Sequence, residues 1–233
     1  MHLECDWKNP AIFTVGTYNK CLNPESLNAM WKWSLNWSEV TKDIVIGTCP
    51  MTPDDLIRIQ KEARVTALLS LQHDDCLTYW GIDYFQMQKK AAQIGLTLAR
   101  LQIRDFDIAD MRRRLPSAIS SLAVLQASGH RTYVHCTAGL GRSPLVVLSY
   151  LILVDDYDPE EAISMILASR TDAVPAWEAY HGCRYDLVES FRKKIERRAY
   201  ELYEQGTNDS LQADWQQAER EVLQNVLTGS NSD

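Results

Sequence analysis

Residues 131–144 read Arg-Thr-Tyr-Val-His-Cys-Thr-Ala-Gly-Leu-Gly-Arg-Ser-Pro. The β-branched and aromatic residues at 132–134 predict the end of a buried strand, which leads directly to Cys136. Nearly every residue from Leu145 to Val154 is apolar. This run is too long for one strand, and it is too short and too closely flanked by charge for a membrane span, so it predicts a buried helix. Pro144 suits the first turn of that helix, where a backbone N–H is not needed.

The loop between this strand and this helix has the composition of a phosphate cradle. Gly139 and Gly141 allow the backbone to curl so that successive N–H groups point inward, and the helix N-terminus adds a partial positive charge. The planar guanidinium of Arg142 can bind two phosphate oxygens at once. The phosphate-binding residues predicted from this loop are Thr137, Ala138, Gly139, Leu140, Gly141 and Arg142.

Cys136 begins the loop and lies in the same positive field. We expect its thiol to ionise well below the value of about 8.5 for a free cysteine. The hydroxyl of Ser143 can donate a hydrogen bond to the sulfur and help it depart. A thiolate beside a phosphate cradle is a nucleophile for phosphoryl transfer through a cysteinyl-phosphate. The alternative is a buried cysteine followed by an ordinary glycine-rich turn, but that would not account for the cysteine, the arginine, the strand and the helix together.

The pattern His-Cys-x5-Arg-Ser in this stretch resembles the signature of the cysteine-dependent protein tyrosine phosphatase superfamily, in its dual-specificity branch. The form of residues 136–142 is similar to that of the glucan phosphatases of plant starch metabolism, the starch-excess type. The resemblance covers roughly residues 18–188 and is carried by four further segments, which are residues 43–48, 71–75, 79–83 and 104–107.

The resemblance implies a general acid in the segment Arg-Asp-Phe-Asp at residues 104–107. By the family pattern the acid is Asp105, which later acts as the base that activates water. Spacing alone does not separate Asp105 from Asp107, and the residues leave open that both only cap the next helix or lie in a solvated loop.

The resemblance also implies an aromatic substrate platform. It assigns Tyr79 and Trp80 to the glucan-recognition segment and Phe106 to the channel beside the acid. Trp177 matches a further contact loop only loosely, and Tyr18 is the candidate in the N-terminal segment. The alternative for each ring is ordinary packing in the core.

Composition sets the class of protein. With 233 residues, 45% hydrophobic and 24% charged, the chain fits one α/β domain with an appendage. The net charge of −7 disfavours binding to nucleic acid and to anionic membrane surfaces. We recognise no signal, transit or transmembrane segment, and the six cysteines lack metal-site spacing. The sequence therefore predicts no cofactor, no metal and a cytoplasmic or other reducing soluble compartment, in which Cys76 could form a reversible disulfide with Cys136.

Alternating strands and helices predict an α/β fold with a central, mainly parallel sheet flanked by helices. The predicted strands are residues 44–47, 65–71, 96–103 and 132–135. The predicted helices begin after Thr52, span 82–94 and 115–128, begin at 143 and at 158, and span 177–203 and 211–227. The predicted organisation is an aromatic extension packing on the core (1–41), a phosphatase domain (42–204), and a linker, amphipathic helix and disordered tail (205–233).

Three functions fit these observations. The first is a phosphatase acting on phosphorylated α-glucan of the glycogen or starch kind. The second is a dual-specificity protein phosphatase acting on phosphotyrosine, phosphoserine or phosphothreonine. The third is a scaffold that binds phosphorylated ligands without turnover. The sequence leaves the oligomeric state open.

Overall fold

The computed structural model of the chain describes residues 32–206 and 208–230, which hold five strands and eight helices. The strands are β1 (Trp37–Glu39), β2 (Ile44–Gly47), β3 (Ala67–Gln72), β4 (Thr97–Ile103) and β5 (Thr132–His135). The helices are α1 (Pro53–Glu62), α2 (Asp74–Trp80), α3 (Tyr84–Ile94), α4 (Ile108–Ala127), α5 (Arg142–Leu153), α6 (Pro159–Ser169), α7 (Trp177–Gln205) and α8 (Leu211–Thr228). The predictions for Tyr18 and for the packing of the N-terminal extension lie outside the described residues.

The five strands form one sheet in the order β1-β2-β5-β3-β4. Strands β2, β5, β3 and β4 are parallel, and β1 pairs antiparallel with β2 at one edge. The predicted α/β fold with a mainly parallel sheet is confirmed. Strand β1 lies within residues 1–41, so the sheet begins before the predicted start of the phosphatase domain at residue 42.

Strand β5 is the central strand, and each of its four residues is buried. Its neighbours β2 and β3 are also buried along their whole length, as expected of parallel strands covered on both faces. Because ligands of such sheets bind at the carboxyl ends of the strands, the end of β5 is the predicted place for a site. Cys136 follows that end directly.

Helix α4 is longer than the predicted helix at 115–128. It begins at Ile108, where the Oδ1 atom of Asp107 accepts a hydrogen bond from the N–H of Asp110 at 2.9 Å. Pro116, expected near the helix start, lies inside the helix. The N-terminal cap and the buried residues on both sides of the proline outweigh the one donor that proline removes.

Helix α2, which carries the Tyr79–Trp80 pair, is not among the predicted helices. The N–H of Asp75 donates to Nδ1 of the N-cap residue His73 at 3.3 Å, and Gly81 ends the helix with a φ of 65°. A helix of seven residues has too few positions for a clear apolar period. Its two capping residues are the physical signal for it.

The predicted C-terminal helical extension is present as α8. This helix packs along α7 around a buried cluster of Ile195, Leu202 and Ala218. The ion pair between Arg198 and Glu221, at 2.6 Å, joins the two helices at their surface. No helix among residues 32–206 and 208–230 combines the length and the apolar character needed to cross a bilayer.

A substitution of Gly47, at the end of β2, tests how tightly this strand packs on the side chain of Tyr133. A Cβ atom on Gly47 would lie 1.9 Å from Oη and 2.3 Å from Cζ of the buried Tyr133 side chain. We therefore expect Gly47→Ala to lower the free energy of unfolding in urea by about 1–3 kcal/mol. The control Ser38→Ala in strand β1 should change it by no more than about 0.5 kcal/mol. Equal stability of the two variants would contradict this packing.

Candidate active site

The predicted strand, loop and helix around Cys136 are confirmed. Strand β5 ends at His135, the loop runs from Cys136 to Gly141, and α5 begins at Arg142. Cys136 is buried, with 3% of its surface exposed. The first turn of α5 has no side-chain cap, so its backbone N–H groups are available to an anion.

Hydrogen bonds from outside the loop hold its backbone carbonyl groups. Listed by acceptor, they are Cys136 O from His135 Nδ1 (2.8 Å), Thr137 O from the N–H of Cys49 (3.0 Å), Ala138 O from Arg170 Nη2 (2.8 Å), Gly139 O from Arg170 Nε (2.7 Å) and Leu140 O from the N–H of Val174 (2.7 Å). In a trans peptide the next N–H points opposite to the carbonyl group. The N–H groups of residues 137–141 are therefore directed to the inner side of the loop, and none of them has a protein acceptor in the described part of the chain.

The two loop glycines have different roles. Gly139 has a φ of 71°, in the left-handed region, and a Cβ atom there would lie 2.6 Å from the carbonyl oxygen of Gly47. Both facts require glycine at this position. Gly141 has a φ of −111°, so it does not supply a left-handed turn. Of the two glycines that were predicted to let the loop curl, Gly139 has the left-handed backbone conformation and Gly141 does not.

The guanidinium of Arg142 is fully buried at the base of this loop. Its Nη1 atom donates to the carbonyl oxygen of Ile103 at 2.9 Å, and its Nη2 atom donates to Asp105 Oδ2 at 2.6 Å and to Thr137 Oγ1 at 3.2 Å. Burial alone would lower the pKa of Arg142, but the Asp105 carboxylate and the Cys136 sulfur raise it above its ordinary value. The side chain is therefore a permanent cation.

The Nε atom of Arg142 is buried and has no hydrogen-bond partner among the described residues. A buried donor without an acceptor costs about 1–3 kcal/mol, and more when it belongs to a charged group. An oxygen of a bound oxyanion is the acceptor that would remove this cost. The described residues hold no group of three His, Cys, Asp or Glu side chains placed to bind a metal ion.

The environment of Cys136 favours the thiolate. Burial alone would raise the pKa of the thiol, but the Arg142 guanidinium and the hydrogen bond from the Ser143 hydroxyl, whose oxygen lies 3.4 Å from the sulfur, leave the pKa below its ordinary value despite the nearby Asp105 carboxylate. Burial lowers the pKa of His135 to about 4, so its ring is neutral at pH 7 and Nδ1 donates to the carbonyl group of Cys136.

The structure separates the two acids that the sequence could not distinguish. Asp107 caps helix α4, whereas the Oδ2 atom of Asp105 lies 2.6 Å from Nη2 of Arg142. Phe106 between them has a φ of 57°, an uncommon conformation for an aromatic residue, and 44% of its surface is exposed. The loop thus directs its first acid to the site and its second acid to the helix.

Tyr79 and Trp80 lie at the end of helix α2, beside the site. The Sγ atom of Cys76 is 3.4 Å from Nη1 of Arg142, and positions three and four residues later on a helix share that side. The two rings meet edge to face with their centroids 5.2 Å apart, and 70% of the surface of Tyr79 is exposed. The pair is therefore not core packing of the ordinary kind.

Trp177 stays a predicted substrate contact, and no contact of its ring with the loop from 136 to 142 is described. Its ring lines a separate groove with Tyr180 and His181, and no residue of the loop from 136 to 142 lines that groove. The reason is local, because Trp177 begins helix α7 and its ring packs edge to face on Tyr180 with centroids 5.6 Å apart.

Arg170 is a site residue that the sequence analysis missed. It binds the outer side of the loop through two carbonyl groups, and its Nη2 atom also donates to Asn36 Oδ1 at 2.9 Å. Its partners are distant in sequence and two of them are backbone oxygens, so no local pattern predicts these contacts.

Replacing Arg170 tests whether the loop is held from behind. We expect Arg170→Met, which keeps the length of the side chain, to lower kcat/KM for an aryl phosphate by about tenfold or more, because hydrogen bonds from a charged group contribute about 1.5–3 kcal/mol. The matched control is Arg197→Met on α7, where 74% of the arginine side chain is exposed. Equal activity of both variants would mean that the loop does not need these contacts.

The thiol of Cys136 can be titrated by its rate of alkylation with iodoacetamide, followed on the peptide that contains it. Because its pKa is lowered, the thiolate is present at lower pH, and the half-maximal rate should occur below about 8.5. Ser143→Ala removes a hydrogen bond to the sulfur, so its profile should move to higher pH. A wild-type profile centred at or above the free-cysteine value would contradict the described electrostatics.

Comparison with known proteins agrees with this geometry. The family model for the catalytic domain of dual specificity phosphatases matches residues 56–181. The amyloplastic phosphoglucan phosphatase DSP4 of Castanea sativa is 34% identical over 163 residues, which are 69% of this chain and 43% of the relative. Laforin of Mus musculus is 26% identical over 175 residues, which are 69% of this chain and 52% of the relative. The chain thus spans about half the length, or less, of these relatives.

Solved structures share the fold. The crystal structure of PTPMT1 superposes with a TM-score of 0.53 and 23% identity, over 71% of this chain and 99% of that chain. The crystal structure of Tk-PTP in the active form superposes with a TM-score of 0.52 and 20% identity, over 64% of this chain and 94% of that chain. The segment that the family model matches, residues 56–181, includes the whole loop from Cys136 to Arg142 and exceeds half of the 233 residues. The chain belongs to the dual specificity phosphatase catalytic domain family.

Proposed function

We propose that the chain is a cysteine-dependent phosphatase that removes phosphate monoesters from phosphorylated α-glucan. The observation that carries the chemistry is the inward direction of the N–H groups of residues 137–141 around a buried Arg142 with an unpartnered Nε. A phosphoryl group has the oxygens to accept from both sets of donors. These donors are fixed before the reaction begins, which is the arrangement that stabilises developing negative charge most strongly.

In the first step, the thiolate of Cys136 attacks phosphorus, and the bond between phosphorus and the glucosyl oxygen breaks. Arg142 and the loop N–H groups hold the three equatorial oxygens. A phosphoryl dianion would replace the Asp105 carboxylate on Nη2 of Arg142. The Asp105 carboxyl group, in its protonated form, then donates its proton to the leaving oxygen.

In the second step, water attacks the cysteinyl-phosphate. The Asp105 carboxylate formed in the first step accepts a proton from this water. The S–P bond breaks, and the Ser143 hydroxyl donates to the departing sulfur as it does in the free protein at 3.4 Å. Inorganic phosphate leaves and the thiolate is restored.

The aromatic pair on α2 supports a glucan as the substrate. Tyr79 is exposed and Trp80 is half-buried on the helix whose Cys76 lies beside Arg142, and flat aromatic faces suit the apolar faces of pyranose rings. One relative, DSP4 of Castanea sativa, is named as a phosphoglucan phosphatase, and phosphoglucan is the same class of substrate. The Phe106 ring, 44% exposed beside Asp105, extends the aromatic surface toward the acid.

Two alternatives use the same loop. A dual-specificity protein phosphatase would use identical chemistry on a phosphorylated peptide, and the aromatic pair would then have no special part in its specificity. A scaffold that binds phosphorylated ligands without turnover would need neither a thiolate nor an acid at the loop. The lowered pKa of Cys136 and the contact of Asp105 with Arg142 favour an enzyme.

Substrate preference tests the proposal. Phosphate release should be faster per enzyme from phosphorylated amylopectin or glycogen than from a phosphotyrosine peptide, and Cys136→Ser should abolish it. Trp80→Ala should lower kcat/KM on the glucan roughly threefold to tenfold, the loss of one stacking contact, and spare an aryl phosphate.

The control for this experiment is Tyr200→Ala, which removes a ring that is 60% exposed on helix α7. It should leave both activities unchanged. If the peptide is the better substrate and Trp80→Ala behaves like the control, the chain is a dual-specificity protein phosphatase. A wild-type protein that is inactive on every phosphate ester would favour the scaffold.

A further inference from the structure

Ser70 is a polar residue inside the buried strand β3, whose sequence is Ala-Leu-Leu-Ser-Leu-Gln. It is 2% exposed, and its Oγ atom is one of two buried side-chain atoms without a hydrogen-bond partner among the described residues. The other is Nε of Arg142, for which a bound oxyanion supplies the acceptor. Buried hydroxyl groups in proteins are hydrogen-bonded to the protein or to ordered water, so Ser70 requires a partner that the protein itself does not provide.

His135 lies beside Ser70, in the partner position on the neighbouring strand β5. Its Nδ1 atom lies 2.8 Å from the carbonyl oxygen of Cys136, and because a carbonyl group can only accept, Nδ1 carries a hydrogen. Burial lowers the pKa of His135 to about 4, so the ring is neutral at pH 7 and Nε2 is an acceptor. The bond from Nδ1 is the hydrogen bond that the described part of the chain gives this ring, which leaves Nε2 in need of a donor.

The side chains of Ser70 and His135 line the same small cavity, which lies between the sheet and helices α1, α2 and α3. Its volume is about 10 Å³, close to the smallest volume that holds one water molecule. Most of the other lining residues are apolar. A buried water needs at least two polar partners, and the hydroxyl group and the ring nitrogen supply them. The cavity thus has the size and the two groups for one water and no room for a larger ligand.

We propose that one water molecule occupies this cavity, accepts a hydrogen bond from the Ser70 hydroxyl and donates one to Nε2 of His135. A bridging water of this kind is nearly as good as a direct hydrogen bond. With both nitrogens bound, the His135 ring is fixed, and Nδ1 holds the carbonyl group of Cys136 at the start of the loop. Ser70 is therefore a positioning residue, which acts on the reactive cysteine through the water and His135.

The charged groups around the sulfur lie outside this cavity. Arg142, Asp105 and Arg170 all act on Cys136, and none of them lines the cavity. Replacing Ser70 by alanine therefore leaves these charges in place. Its effect on the sulfur comes through the orientation of the loop backbone, and it is the same whether the substrate is a glucan or a peptide.

Ser70→Ala tests the water by the sign of a stability change. If the water bridges the two groups, alanine removes one of its partners, and the midpoint of urea unfolding falls. If the hydroxyl has no partner, alanine removes an unsatisfied buried group, and the midpoint stays or rises. The matched control is Ser149→Ala, because Ser149 is a fully buried serine on α5 whose Oγ donates to the carbonyl oxygen of Leu145 at 2.8 Å. Its fall in midpoint gives the scale for the loss of one satisfied serine.

The pH profile of Cys136 alkylation tests the positioning role without any substrate. Below the midpoint of the wild-type profile, Ser70→Ala should react with iodoacetamide about twofold to tenfold more slowly, the effect of one neutral hydrogen bond. Above the midpoints of both profiles the two rates should be equal. Ser149→Ala should follow the wild type throughout. Coincident profiles of Ser70→Ala and the wild type would overturn the positioning role of Ser70.

A high-resolution crystal structure of the full chain locates the water directly. We expect a density peak within hydrogen-bonding distance, about 2.7–3.2 Å, of both Ser70 Oγ and His135 Nε2. The absence of that peak, a direct hydrogen bond between these two atoms, or a urea midpoint of Ser70→Ala at or above that of the wild type would each contradict the bridging water. None of these measurements depends on hydrolysis of a glucan, so the proposed function can fail while this inference stands, and the reverse.

Discussion

Hydrogen bonds to the outer side of residues 136–140 are the constraint on which the site depends. They come from His135 at the end of β5, from Cys49 after β2, and from Arg170 and Val174 in the segment after helix α6. Holding the carbonyl groups on one side turns the N–H groups to the other, so the cradle exists before any ligand arrives. Gly139 makes these contacts possible, because a Cβ atom there would lie 2.6 Å from the carbonyl oxygen of Gly47 and 2.9 Å from Nη2 of Arg170. The fold therefore supplies the anion site through its backbone.

Arg142 is the second part of the same constraint. Burying an unpaired cation would cost several kcal/mol, and the structure offsets this with Asp105, Thr137 and the carbonyl group of Ile103. The same cation lowers the pKa of Cys136, so that one buried charge serves both the binding of phosphate and the activation of the sulfur. The N–H group at Nε of the guanidinium has no hydrogen-bond partner among the described residues. The ion pair with Asp105 links the loop to the segment that begins helix α4.

The sequence predicts the parts of this account that are local. The strand, loop and helix around Cys136 follow from residue type and spacing, as do four of the five strands and most helices. The start of α4 was misplaced because Pro116 outweighed the capping signal of Asp107, and α2 was missed because it has only seven residues. Arg170 could not be predicted, since its contacts join residues far apart in sequence through backbone oxygens. The role predicted for Trp177 stays a prediction, since its ring lines a groove with Tyr180 and His181 and no contact with the loop is described.

The central claim is that Cys136, held in this cradle, attacks phosphate on a glucan. Rapid acid quenching of the reaction of the wild-type chain with ³²P-labelled phosphorylated amylopectin tests it most directly, with Cys136→Ser as the matched control. The account predicts that label is trapped on Cys136 in the wild-type chain and that Cys136→Ser carries no label and releases no phosphate. Label on another residue, or phosphate release by Cys136→Ser, would contradict it.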